Sequence, residues 1–300
     1  MKPERLSEET RAALRHVVVG PGEVDMRRFP DFMIIGPQRT GTTWLFRNLE
    51  QHPKVRLPLK KETYYFSTLG NPEHHRHQFA TLQDYLKIFY ETPKRLIKRN
   101  YDSLRRAFTR YRPDVTGEAT ATYATLKEGI IEDIVLLNPD IKIILMLRDP
   151  IDRAWSHAKK DLRKKGRRIE DASRDELDAY FASKGQRMLA DFPGMIQRWG
   201  KHLKPGHLFV ATFDDLGKDS PALLKSTCRF LGVPDTKRYF YRKHLGSKIN
   251  PTTGAVSEDI QKHLEQHFAE EKKSYLALLE EIKRNKDGDR TTACGIELHC

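Results

Sequence analysis

The chain has 300 residues, 38% of them hydrophobic, and its 54 Lys and Arg against 41 Asp and Glu give a net charge of +13. The cysteines Cys228, Cys294 and Cys300 are too few and too unevenly placed for a disulfide framework, and no apolar run approaches the ~20 residues that span a bilayer. The charge favours anionic partners, namely nucleotides, acidic glycans, nucleic acid or anionic membrane surfaces. We therefore expect a protein of a reducing, cytoplasmic compartment.

Strands alternate with helices along the chain, which predicts an α/β class: a single domain with a mainly parallel central sheet flanked by helices. Strands are predicted to end at Gly36 and to cover about 55–58, 114–118, 141–147 and 207–213. Helices are predicted at about 7–15, after Gly41 to 51, and at 81–90, 101–110, 125–137, after Pro150, and at 187–203, 219–231 and 257–284. We expect a lead-in over 1–27, the domain over 28–285 with a mobile charged insertion at 163–185, and a flexible tail over 286–300.

The first informative segment follows the first strand and reads Gly36-Pro37-Gln38-Arg39-Thr40-Gly41-Thr42-Thr43-Trp44. A strand, a tight loop and a helix N-terminus make an anion site, because backbone N–H groups converge there and the helix end is partially positive. The two glycines have the spacing of a nucleotide P-loop, but Thr42 stands where that loop has lysine. A kinase or GTPase of this type needs its lysine beside the glycine.

Residues 37–44 resemble the 5′-phosphosulfate loop of sulfotransferases that use adenosine 3′-phosphate 5′-phosphosulfate (PAPS). The resemblance implies a P-loop-like sulfotransferase architecture, with Arg39 stabilising charge on the leaving phosphate and Trp44 either stacking on adenine or packing in the core. The remaining donor contacts in this loop would be Gln38, Thr40, Gly41, Thr42 and Thr43.

The second informative segment directly follows the clearest predicted strand and runs from Leu147 to Ser156. Open α/β sheets bind ligands at the carboxyl ends of their strands, so Arg148 and Ser156 could face one phosphate. Their spacing of eight positions resembles the 3′-phosphate site of sulfotransferases. The alternative is that Arg148 pairs with Asp149 or Asp152, and that Ser156 is an ordinary helix residue.

The resemblance extends over about residues 30–284 and is nearest to glycan-type enzymes related to heparan sulfate O-sulfotransferases, and we expect a bacterial source. In those enzymes an acidic residue precedes an aromatic pair, as in Lys61-Glu62-Thr63-Tyr64-Tyr65-Phe66. The match implies that Glu62 is the general base, which takes the proton of an acceptor hydroxyl in the transition state. The alternative is a solvated glutamate paired with Lys60 or Lys61.

Two segments depart from the family pattern. Ala119 stands where the family often has a lysine, which puts in doubt a second cation at the transferring sulfuryl group. The segment 240–248 resembles the loop that closes over the nucleotide, with Lys248 and, more weakly, Ser247 as donor contacts. It lacks the disulfide hairpin of the glycan enzymes.

These expectations combine into a PAPS-dependent O-sulfotransferase that releases adenosine 3′,5′-bisphosphate (PAP) and requires no metal. The expected acceptor is a carbohydrate hydroxyl, with a lipid or a secondary metabolite also open; no nucleic acid and no membrane span are expected. One alternative is a P-loop kinase of small molecules. The other is a non-catalytic basic protein that binds acidic polymers, and the oligomeric state is not indicated.

Overall fold

The computed structural model of the chain describes residues 3–240, 245, 258–286 and 298–299. At its centre lies a sheet whose strands pair in parallel in the spatial order β2-β3-β1-β4-β5-β6. This arrangement confirms the predicted α/β class. The strands are β1 (Phe32–Ile35), β2 (Val55–Arg56), β3 (Val115–Ala119), β4 (Lys142–Leu147), β5 (Leu208–Thr212) and β6 (Leu298–His299).

Helices connect and cover these strands, and several begin at capping or first-turn residues that can be recognised in the sequence. Ser7 accepts a hydrogen bond from the Thr10 amide, and Pro150 occupies the first turn of its helix. The helices are α1 (Glu8–Ala13), α2 (Thr42–Leu49), α3 (Leu82–Lys87), α4 (Pro93–Ala107), α5 (Glu128–Leu137), α6 (Pro150–Lys164), α7 (Arg174–Ala182), α8 (Lys184–Met188), α9 (Phe192–Gly200), α10 (Phe213–Lys218), α11 (Ser220–Leu231), α12 (Glu258–His267) and α13 (Ala269–Lys286).

The core lies on both faces of the sheet, because successive side chains of a strand point to opposite sides. Ile35 and Leu145 pack on one face with residues of α5, α9 and α13, including Trp199. Ile34 and Met146 pack on the other face with residues of α2 and α11. Both sides of β1 and β4 are therefore covered, and only their ends are available for a site.

Segment 163–185, predicted to be a mobile insertion, is instead largely helical. It contains the end of α6, a short 3-10 helix at Ile169–Asp171, α7 and the start of α8. Leu177 and Phe181 are buried in a third apolar cluster, together with Leu264 and Phe268. Among the charged residues of α7, Leu177 and Phe181 are four positions apart and therefore lie on the same face of the helix. Ser173 caps the start of α7, because its side chain accepts a hydrogen bond from the Glu176 amide.

Phe181→Ala should reduce the free energy of unfolding by about 3–5 kcal/mol, because it removes a fully buried ring that contacts Phe268 edge-on. Urea titration followed by circular dichroism measures this loss. Leu276→Ala, a change at an exposed apolar position, is the control and should cost much less. An equally small loss for both variants would mean that this segment does not pack as described.

Other boundaries also differ from the prediction. Helix α4 begins at Pro93, α10 was not predicted, and the predicted final helix is divided at Phe268. Within the predicted tail, Leu298–His299 pair with Leu208 and Phe209 of β5.

Candidate functional site

The loop between β1 and α2 has backbone torsion angles that few residue types other than glycine adopt readily. Gly36, Arg39 and Gly41 all have positive φ, of 143°, 80° and 99°. A Cβ atom on Gly36 would lie 2.5 Å from the Met146 carbonyl oxygen, so the neighbouring strand β4 requires glycine there. Thr40 closes the turn, since its hydroxyl donates to the Pro37 carbonyl at 2.9 Å. The loop thus leads into α2 through Gly41, which provides no side-chain cap.

The loop after β4 lies against this first loop, because β1 and β4 are parallel neighbours in the sheet. The Arg148 guanidinium donates to the Arg39 carbonyl at 3.2 Å. Arg39 Nε in turn donates to Ser156 Oγ at 2.8 Å. Arg148 also lies 3.8 Å from Asp152, a long separation for an ion pair, and its guanidinium stacks on Phe213. Residues 117 positions apart in the chain therefore share one side of the molecule.

Like charges converge where these loops meet. Burial lowers the pKa of Arg39, and the nearby positive charges of Arg148 and Arg163 lower it further. Burial also lowers the pKa of Arg148. Guanidinium groups stay protonated at neutral pH, so Arg39 and Arg148 place two positive charges where the loops meet. These guanidinium groups, with hydroxyls and a helix N-terminus beside them, can donate hydrogen bonds to a polyanion such as a nucleotide bisphosphate.

Lys61 is a site residue that sequence reasoning missed. Its ammonium donates to the hydroxyls of Thr42 at 2.7 Å and Thr43 at 3.3 Å, and to Glu62 Oε1 at 2.7 Å. Burial lowers the pKa of Lys61, whereas the charge of Glu62 opposes that shift. The lysine absent from the loop is thus supplied by a segment some twenty residues further along the chain. Its only signal in the sequence was its position next to Glu62.

Glu62 is held at the site by one backbone contact to its main-chain amide and another to its carboxylate. It has φ 69°, its amide donates to the Ala119 carbonyl at 3.1 Å, and its Oε2 accepts from the Ala121 amide at 2.9 Å. Its side chain keeps 23% of its surface exposed. Strained backbone of this kind is typical of functional residues.

Beneath Glu62 lies a buried carboxyl group, Glu118, surrounded by hydroxyls. Thr63 donates to Glu118 at 2.6 Å and Thr120 at 3.0 Å, and the Tyr85 hydroxyl donates to the other oxygen. Burial raises the pKa of Glu118 to about 7, the charge of Glu62 adds to the rise, and the three hydrogen bonds oppose it. This network fixes the chain immediately after Glu62.

Glu118 should make stability fall as pH rises. Because its pKa is higher in the folded chain than in the unfolded one, its contribution is complete below about pH 4.5 and is lost as pH rises through about 7. Glu118→Gln should remove this dependence, so the stability of the wild type relative to the variant falls by about 3 kcal/mol across that range. Urea unfolding at a series of pH values measures it, with the exposed Glu9→Gln as control. A constant difference between wild type and Glu118→Gln would contradict the shift.

The other predicted residues have mixed placements. Trp44 is buried, with 4% exposed, in the apolar cluster on the α2 face, which favours the core alternative over adenine stacking. Gln38 Oε1 is buried and has no hydrogen-bond partner among the residues that the structure describes. Ser247 and Lys248 lie outside the described residues.

A separate cavity of about 350 Å³ lies beside the start of α6. Asp149 and Asp152 line it, together with Glu265 and Lys272. Its three carboxylates outnumber its one ammonium, so the cavity would repel a polyanion. It therefore does not suit the nucleotide that the sequence predicts as ligand.

A strand–loop–helix turn at the carboxyl edge of a parallel sheet, with a carboxylate and cations beside it, is typical of P-loop-like proteins that bind phosphorylated ligands. Residues 30–237 match the model of the sulfotransferase family, and the chain belongs to that family. In the described part of the chain, no helix is both long and apolar enough to cross a membrane.

The relatives confirm the predicted resemblance to glycan-type enzymes. The chain is 27% identical over 250 residues to the mouse bifunctional heparan sulfate N-deacetylase/N-sulfotransferase 4, a match that covers 77% of this chain and 25% of the relative. It is 26% identical over 152 residues to human carbohydrate sulfotransferase 15, covering 44% of this chain and 27% of that one. The chain therefore spans about a quarter of the length of these relatives.

A solved structure has the same fold. The sulfotransferase from Alicyclobacillus acidocaldarius superposes with a TM-score of 0.56 at 22% identity, over 81% of this chain and 92% of that one. This similarity confirms the predicted sulfotransferase architecture.

Proposed function

We propose that this sulfotransferase takes its sulfuryl group from PAPS and transfers it to a hydroxyl of a carbohydrate acceptor. One observation carries the proposal: the two anion-binding loops touch through Arg148 and Arg39, and Lys61 joins the first loop to the carboxylate of Glu62. Cations, hydroxyls and a carboxylate of the kinds that this reaction would need therefore lie at one edge of the sheet.

The donor would be held between the two loops. Thr42 and Thr43, at the start of α2, would bind the 5′-phosphate, while Arg148 and Ser156 bind the 3′-phosphate. Arg39 reaches Ser156 from the first loop, so it is placed between the two phosphate sites. Lys248 and Ser247 stay predictions for the closing loop.

Glu62 acts on the acceptor. Bound PAPS supplies an activated sulfuryl group whose bond to the 5′-phosphate oxygen breaks as the acceptor oxygen forms its bond to sulfur. Glu62 accepts the proton of the acceptor hydroxyl as that oxygen loses electron density. The electron pair of the broken bond stays on PAP, whose leaving phosphate needs no proton. Positioning and electrostatic stabilisation then account for the catalysis, as in phosphoryl transfer.

Lys61 supplies the second cation that Ala119 cannot provide. Its ammonium contacts the same two hydroxyls that would hold the 5′-phosphate, whereas Arg39 is directed at Ser156. Lys61 is therefore the cation best placed to stabilise charge on the oxygen between phosphorus and sulfur. It also orients Glu62 through their 2.7 Å ion pair.

The acceptor class rests on the names of the relatives and on charge. Both names describe glycan sulfation, and one of them specifies an amino group as the site of transfer. The net charge of +13 favours an anionic acceptor such as an acidic glycan.

Incubation with radiolabelled PAPS and separate pools of glycans, lipids and small hydroxylated metabolites tests the proposal. We expect labelled product from the glycan pool, released as sulfate under mild acid if it is an N-sulfate and stable if it is an O-sulfate. Phosphorylated product from ATP and magnesium would support the kinase alternative. Binding of acidic polymers without product in any pool would support the non-catalytic alternative.

A further inference from the structure

Helix α4 exposes its apolar side. Ile97, Tyr101 and Leu104 are 71%, 61% and 47% exposed, and their spacing places them on one face of the helix; Phe108, the C-cap residue that follows the helix, is 83% exposed. We call these four residues the α4 stripe. Exposed apolar side chains that lie together on a surface are typical of interaction sites.

The opposite face of α4 holds the helix to the domain by polar contacts. Arg95 donates to the Leu57 carbonyl at 2.8 Å, and Arg99 donates to the Tyr111 hydroxyl at 2.6 Å. Both arginines also pair with the buried Glu91. A surface helix normally turns its apolar side to the core, so the orientation of α4 is the reverse of the usual one.

Cations lie along one edge of the α4 stripe. Lys94, Lys98 and Arg105 are exposed there, whereas Arg106 lies on the opposite face of the helix, 3.6 Å from Asp102, the acidic residue within the helix. A helix with large apolar side chains, basic flanks and low mean hydropathy fits the interface of an anionic bilayer, where the apolar groups enter the headgroup region and the cations meet lipid phosphates.

We infer that the α4 stripe docks this protein on an anionic membrane surface. A second copy of the chain does not fit, because it would bring the same cations together in a protein of net charge +13. An acidic glycan would neutralise the lysines and arginines but would leave Ile97 and Phe108 in water. The inference does not depend on the donor or on the acceptor of the proposed reaction.

The position of α4 gives this docking a consequence. Arg95 contacts Leu57, and Leu57 lies five residues before Glu62 in the chain. Leu59, between them, is itself 69% exposed. Because Arg95 lies on the face of α4 opposite the α4 stripe, docking would hold the segment that leads to Glu62 behind α4, on the side of the helix away from the bilayer.

Sedimentation of the full chain with vesicles tests the inference. We expect binding to vesicles of phosphatidylcholine and phosphatidylglycerol in equal parts, weak binding to phosphatidylcholine alone, and weaker binding at higher salt. Replacing Ile97 and Phe108 by serine should lower the partition coefficient more than about tenfold. Replacing Leu136 and Leu276, exposed apolar residues on other helices, by serine should leave it unchanged. Lys94→Gln and Lys98→Gln should each lower the partition coefficient about fivefold.

Tyr101→Trp gives a second measurement. The native Trp44, Trp155 and Trp199 are buried, so a blue shift on adding the anionic vesicles would report insertion of the new side chain. Failure to sediment, or sedimentation that the serine changes leave intact, would overturn the inference. Retention on an acidic glycan that depends on the lysines but not on Ile97 and Phe108, without vesicle binding, would instead assign the face to glycans.

Discussion

Glu62→Gln is expected to lower kcat for sulfuryl transfer by about 10²–10⁴-fold, because the amide has no basic oxygen with which to accept the acceptor proton. The substitution keeps the shape of the side chain and an oxygen for the Ala121 amide. PAP affinity should therefore stay nearly constant while turnover falls. Rates measured with labelled PAPS at saturating acceptor, beside calorimetric titration of PAP, separate the two effects.

An undiminished rate in Glu62→Gln would show that another group takes the proton. Glu118 is not an equivalent candidate, because it is fully buried and its oxygens accept hydrogen bonds from Tyr85, Thr63 and Thr120. A loss of PAP affinity as large as the loss of rate would assign Glu62 to donor binding.

Lys61→Met is expected to lower kcat by about 10²–10³-fold, the range found when one preorganised donor is removed from a site where charge develops. Methionine keeps much of the length of the side chain but has no charge to place beside Thr42 and Thr43. The loss should appear mainly in kcat and less in the KM for PAPS, because the charge on the bridging oxygen grows during transfer.

Lys60→Met is the matched control, since Lys60 is the exposed neighbour of Lys61. We expect it to leave kcat unchanged. Equal effects of the two substitutions would mean that the general positive potential matters and that Lys61 has no specific role. A rise in KM with constant kcat would limit Lys61 to donor binding.

Local motifs predicted the two loops well. Each loop is a continuous stretch of strand, turn and helix start, so its local structure can be predicted without distant contacts. Their meeting followed from topology, because parallel neighbouring strands end at the same edge of the sheet, and β1 and β4 are neighbours. Arg39, Arg148 and Ser156 could thus be placed together from the sequence.

Contacts between distant segments could not be predicted in this way. Lys61 reaches Thr42 across a stretch of chain that no local rule folds, and its pairing with Glu62 gave no sign of that contact. The reversed face of α4 depends on the partners of Arg95 and Arg99 in the strand β2 region. The helical order of 163–185 depends on Phe181 meeting Phe268, nearly ninety residues away in the sequence. Tertiary packing decided each of these.

Calorimetric titration of Arg148→Ala with PAP and with adenosine 5′-phosphate is the most direct test of donor binding between two loops. We expect the substitution to weaken PAP binding by about tenfold or more, since a charge-assisted contact is lost, and to leave adenosine 5′-phosphate binding unchanged. Equal weakening of both nucleotides, or tighter binding of ATP with magnesium than of PAP by the wild type, would contradict it.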